Sequence, residues 1–200
     1  VVKVKIYAEG GGEGELLDVL FRRGWSEFFK AAGLEGRMPR VVRGKGRDRT
    51  FDLFLTAVNN GGANDLALLL VDSEAPVKPG HTAWQHLKAC NNWDRPNGVS
   101  DDQAFLMVEV METWLIADRQ MLERYFGANF RSNQIPAWPS LEAVPKKVVL
   151  ETLDRSTAGC GKKRYAKGKI SFELLGRTDP NEVENACPHA KVLLDRLRRG

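Results

Sequence analysis

The most constraining feature of the chain is the stretch "DLALLLVD", Asp65 to Asp72, in which six apolar residues run without a break between two aspartates. A half-buried strand alternates apolar with polar residues. An unbroken run that stops at charges and is followed by Pro76 therefore predicts a central parallel strand covered on both faces. The segments upstream fit that frame. Residues 2–9 alternate Val2, Val4, Ile6 and Ala8 with Lys3, Lys5, Tyr7 and Glu9, the period of a strand with one apolar face. From Glu13 to Leu34 the apolar positions Leu17, Leu20, Phe21, Trp25, Phe28, Phe29 and Ala32 recur mostly at steps of three and four, which predicts an amphipathic helix ending at Gly33. A short strand at Arg40–Arg43 and a helix carrying Phe51, Phe54, Leu55 and Val58, closed by "NNGG", repeat the unit. Strands alternating with helices predict a doubly wound α/β fold with a mostly parallel sheet.

Beyond the central strand the pattern changes. Residues 75–100, rich in Pro, Gly and Asn, read as a long functional loop rather than a core element. Ser100 and Gln103 form a candidate capping box, and "AFLMVEVMETWLIADRQMLERYF" reads as strand then helix. From about residue 136 the chain breaks into helical pieces with Pro145, Pro180 and Pro188 near their starts, where a missing N–H costs nothing. The expected organisation is an α/β domain over 1–135 and a C-terminal helical annex over 136–200 packed on it as one structural unit. With 42% hydrophobic and 28% charged residues, and no window near the ~20 apolar residues of a membrane span, the expectation is a soluble protein with no membrane partner. Three cysteines in unrelated contexts form no disulfide framework and suit a reducing cytoplasm. The first residues already pattern as a strand, which leaves no obvious place for a signal peptide.

Carboxylates cluster at the predicted strand ends. In an open parallel sheet, ligands bind in the crevice outside the carboxyl ends of the strands, which is where Glu9 and Glu13 would face Asp72 and Glu74. Such carboxylates repel one another unless a cation or proton lies between them, and an all-oxygen set suits Mg²⁺ or Mn²⁺. Gly10, Gly11, Gly12 and Gly14 would let the backbone approach a phosphate at a helix N-terminus. The competing reading is that the glutamates only favour the positive helix end and the glycines only turn the chain. The net charge of +4 permits a nucleic-acid or phosphate partner, so clustering must decide. Two basic runs stand out: "RMPRVVRGKGRDR", with Arg43, Lys45 and Arg47, and "KKRYAKGK", with Lys167 and Lys169 around Tyr165. Either they grip phosphates or they are solvated loops. "STAGCGKKR" departs from a phosphate-binding Walker loop at both diagnostic ends, and the cysteines and histidines lack zinc-site spacing. Trp84, Trp93 and Trp114 could stack on bases, though such spacing suits core anchors better.

"KIYAEGGGEGELL" followed by "LALLLVDSE" resembles the Toprim pattern, in which a Glu closes the first strand and an Asp-x-Asp closes a later one; here Glu74 replaces the second Asp. Across nearly the whole chain, through "VKIYAEGGGE", "LEGRMPR", "LLLVDSEAPV", "DDQAFLMVEVMETWLIADR", "YAKGKISFELL" and "CPHAKVLLDRL", the sequence resembles the bacterial domain-of-unknown-function family 4276. The resemblance implies a Toprim-like fold and a Mg²⁺- or Mn²⁺-dependent nuclease of the kind that acts in phage defence with an ATPase partner. It implies metal binding by Glu9, Glu13, Asp72 and Glu74, and catalytic roles for Glu9, Asp72, Glu74 and Glu112. Phosphate contacts would fall to Arg43, Lys45, Arg47, Lys167 and Lys169. A homodimer is compatible with it. The alternative is a non-catalytic subunit of such a system that binds nucleic acid or protein, and a third reading is an enzyme acting on a small phosphate.

Overall fold

A computed structural model describes residues 2–199. Four strands, β1 (Lys3–Ala8), β2 (Arg40–Arg43), β3 (Asp65–Asp72) and β4 (Ala104–Met107), form an all-parallel sheet in the order β2-β1-β3-β4. Helices α1 (Glu15–Phe29), α2 (Arg47–Asn60) and α3 (Ala83–Asn91) connect them. The chain steps from β1 outward to β2, then back past β1 to β3 and on to β4. Right-handed crossovers place connections that step in opposite directions on opposite faces of the sheet. Accordingly α1 covers the face carrying Ile6, Ala8, Leu68 and Leu70, while α2 and α3 cover the face of Tyr7, Ala67, Leu69 and Val71. The fold is the doubly wound α/β class. Tyr7, expected on a polar face, is buried edge-on to Phe54 at 6.5 Å, because β1 is covered on both sides at its carboxyl end.

Residues 75–100 are not one long loop. They contain α3, started by a capping box in which the Gln85 N–H donates to Thr82 Oγ1 and the Thr82 N–H donates to Gln85 Oε1. Trp84 and Leu87 pack it under the sheet.

After β4 come α4 (Glu112–Ala117), α5 (Arg119–Phe126), α6 (Lys146–Thr157), α7 (Lys169–Leu175), α8 (Pro180–Ala186) and α9 (Pro188–Arg199). These helices share one apolar core with α1: Phe21, Trp25 and Phe28 meet Trp114, Val149, Leu153, Phe172 and Leu193. No helix among the described residues is long and apolar enough to cross a membrane.

Where α1 crosses α7, the helices touch backbone to backbone at Gly24. A Cβ there would lie 2.4 Å from the Phe172 carbonyl oxygen. Gly24→Ala must push the helices apart and is expected to lower the free energy of unfolding by about 1–3 kcal/mol, measured by urea denaturation.

Candidate active site

The connections leaving β1 and β3 depart over opposite faces, so a crevice opens between the carboxyl ends of these neighbouring strands. Glu9 follows β1 directly and Asp72 closes β3. Glu74 lies two residues further on, in the left-handed region (φ 62°). One oxygen from each of these three carboxylates lies within 4.8 Å of the others. They line a cavity of about 350 Å³ together with Gly10–Gly12, Met111, Glu112, Lys146, Lys167 and Ser171.

The backbone fixes this cluster from several sides. Asp72 is 5% exposed, and its Oδ1 accepts the Met111 N–H at 2.9 Å, so the turn after β4 sets its rotamer. Glu9 Oε2 accepts the Asp72 N–H at 3.3 Å and Arg47 Nη1 at 3.1 Å. The turns after β3 and β4 are tied together: the Glu74 N–H donates to the Glu109 carbonyl, and the Glu109 N–H to Ser73 Oγ. Glu74 and Glu109 both hold positive φ without being glycine, a strain that persists only where surrounding bonds dictate it. Burial pushes the Asp72 carboxyl well above the usual carboxylate range, and the Glu9 and Glu112 charges add to the shift. Burial also raises the Glu9 carboxyl, against the pull of Arg47. Carboxylates crowded in this way favour a proton or a bound cation between them.

Glu112, at the start of α4, is 0% exposed. Its Oε1 accepts Tyr165 Oη at 2.5 Å and Ser171 Oγ at 3.3 Å, while its buried Oε2 has no hydrogen-bond partner. Burial and the Glu112 charge raise the Tyr165 phenol far above its ordinary value, so it is a donor at any physiological pH. Tyr165→Phe leaves Glu112 with Ser171 alone and is expected to cost about 1–3 kcal/mol of stability, read from a urea midpoint.

A family model described as a domain of unknown function, DUF4276, matches residues 8–198. The chain belongs to the DUF4276 family. No curated protein and no solved structure matches it.

In this DUF4276 chain the structure gathers four of the carboxylates singled out from sequence, Glu9, Asp72, Glu74 and Glu112, at one cavity. It does not gather Glu13. The glycine loop turns through Gly12 and Gly14, both at positive φ, and carries Glu13 out to solvent. The first basic run also differs from expectation. Arg43 is spent on Asp18 at 2.8 Å and on the Gly11 carbonyl, pinning the glycine loop, and Lys45 stands 3.6 Å from Asp18. Arg47 is bound to Glu9, to the Asp72 carbonyl and to Asn91, and lies over the Trp93 ring at 5.2 Å. These arginines brace the crevice from within, each neutralising a half-buried carboxylate. Of the second run Lys167 lines the cavity, whereas Lys169 is exposed on α7 and does not.

Sequence reasoning missed Lys146, whose Nζ reaches both oxygens of Glu74 at 2.5 and 2.6 Å. It also missed the Tyr165–Ser171 clamp. "VPKK" carries no signal for the first. Tyr165 was visible, but only as an aromatic inside a charge run.

Proposed function

We propose that this DUF4276 protein is a divalent-metal-dependent phosphodiesterase of Toprim type acting on nucleic acid. The observation that carries the reading is the convergence of Glu9, Asp72 and Glu74 at the switch point of the sheet, with Lys146 and Lys167 on the same cavity. The donor set fits a hard cation, because every candidate ligand atom is a carboxylate oxygen. Oxygens around an octahedral Mg²⁺ are roughly 3.0 to 4.2 Å apart. With separations of up to 4.8 Å, the three oxygens would draw together by up to about 1.8 Å to take adjacent positions around such an ion.

Glu9, Asp72 and Glu74 would hold the ion. When bound, Mg²⁺ or Mn²⁺ supplies an activated water and offsets charge on the leaving oxygen. Arg47 and the Asp72 N–H orient Glu9 toward the cluster, either as a ligand or as the base that takes a proton from an attacking water. Met111 N–H orients Asp72, and Tyr165 with Ser171 orient Glu112. Lys167, exposed at the crevice mouth, is placed to meet a phosphate.

The test is incubation of the purified protein with single- and double-stranded DNA and RNA, with Mn²⁺, Mg²⁺ or chelator, alone and with an ATPase partner. Cleavage that requires the metal supports the reading, and intact polymers under every condition overturn it. A non-catalytic binding subunit is the rival reading, favoured by the basic partners that Glu9 and Glu74 already have. It predicts nucleic-acid or protein affinity unaltered by Asp72→Asn.

A further inference from the structure

Lys146 stands in an unusual relation to the cluster. It opens α6, and its own backbone N–H donates to Glu109 Oε2 at 2.9 Å, so a buried carboxylate fixes the start of the helix. Its side chain then reaches across the crevice mouth and grips both oxygens of Glu74. Glu74 is thereby satisfied by an ammonium while Asp72 Oδ2, facing the same cavity, has no hydrogen-bond partner among the described residues. The two sides of the contact are unequally mobile. The Glu74 backbone is held at positive φ by its bond to Glu109. The Lys146 side chain is a flexible four-carbon stem, 29% exposed beside a Glu74 side chain that is 38% exposed. Of the pair, the lysine has the longer stem on which to swing away, while the Glu74 backbone stays fixed at the site.

We infer that Lys146 is an internal counter-ion which occupies the cation position at Glu74 and must be displaced for a divalent metal to bind. The inference rests on the metal-dependent reading of this crevice and adds what sets the metal affinity. A cation arriving between Glu9, Asp72 and Glu74 takes the Glu74 oxygens that the ammonium now holds. The metal's apparent affinity is therefore its intrinsic affinity reduced by the strength of the Lys146–Glu74 pair. Lys167 lines the same cavity and has no hydrogen-bond partner among the described residues, so it acts on the cluster only through its field. The two lysines thus separate competition by contact from repulsion at a distance.

The experiment is calorimetric titration of Mn²⁺ into the wild-type protein, Lys146→Met and Lys167→Met, with the fold of each checked by thermal unfolding. Methionine keeps the stem volume and the backbone bond to Glu109, so the variant should fold. Expected is Mn²⁺ binding at least about fivefold tighter in Lys146→Met than in wild type, and a distinctly smaller change in Lys167→Met. Equal tightening in both variants would make the effect one of general charge and overturn the inference. Unchanged or weaker binding in Lys146→Met would overturn it as well. If none of the three folded proteins binds Mn²⁺, the metal reading itself fails and takes the inference with it. That outcome is distinct from a wild type that binds with no response to Lys146.

Discussion

Asp72→Asn is expected to remove saturable Mn²⁺ binding and to lower phosphodiester cleavage by about 10³-fold or more, while making the metal-free protein more stable. The substitution is nearly isosteric, and the asparagine Oδ1 can still accept the Met111 N–H that now orients Asp72. What disappears is a buried charge that the fold tolerates poorly: burial and the neighbouring Glu9 and Glu112 carboxylates all raise its proton affinity. Removing it should add about 0.5–2 kcal/mol to the metal-free protein. Calorimetry and thermal unfolding in chelator measure the two halves, and a variant that both binds Mn²⁺ and cleaves would refute the placement of the site.

The same residue dictates a pH dependence with a definite sign. A carboxyl whose folded pKa is raised binds protons more tightly in the folded state, so it stabilises the fold below its ordinary pKa. That contribution is lost as pH rises through the raised value. Asp72 and Glu9 both shift this way. In chelator, the wild type should therefore lose stability from mildly acid toward neutral pH, with Asp72→Asn showing a flatter profile. Mn²⁺ acts oppositely because it needs the deprotonated carboxylates. Melting curves with and without the metal should diverge as pH rises.

Trp114→Ala is expected to cost about 3–5 kcal/mol, the largest loss of stability among the substitutions considered. The Trp114 ring is fully buried, stacks on Phe28 at a centroid distance of 5.6 Å and meets Trp25 edge-on at 5.8 Å. It joins α4 to α1, the helix that follows the glycine loop, so the cavity left by alanine would loosen the wall carrying Glu112. Trp114→Phe should cost much less. The Trp114 Nε1 is buried without a hydrogen-bond partner, so the indole N–H has no bond to lose. Guanidinium denaturation of the three proteins separates the roles: similar losses for Ala and Phe would mean that the N–H matters more than the ring volume.

How much of this was readable in the sequence varied with the range of the interactions involved. The strand at 65–72 was legible to the residue and the one around 40–43 closely, because an apolar run bounded by charges and turn residues is a local signal. Glu9 and Asp72 were legible for the same reason, since strand ends in parallel sheets converge. The helix Ala83–Asn91 was not, because only Trp84 and Leu87 mark its apolar face among prolines, glycines and asparagines. Nor were the real partners of the basic runs. Charge spacing shows that Arg43 and Arg47 are cations but not that Asp18 and Glu9 consume them. Glu112 entered through a family resemblance, and its clamp by Tyr165 depends on tertiary contact across 53 positions.

The cavity has walls from distant parts of the chain. Glu9 and Asp72 form one side, and Lys167, Ser171 and Phe172 form the other. Roughly 95 residues separate Asp72 from Lys167, which a ribosome adds in about 5–20 s. During that interval β1 and β3 can already pair, and Glu112, once it is made, has neither Tyr165 nor Ser171 to hold it. The cavity is therefore completed late in synthesis, when the C-terminal helices close over a sheet made well before them.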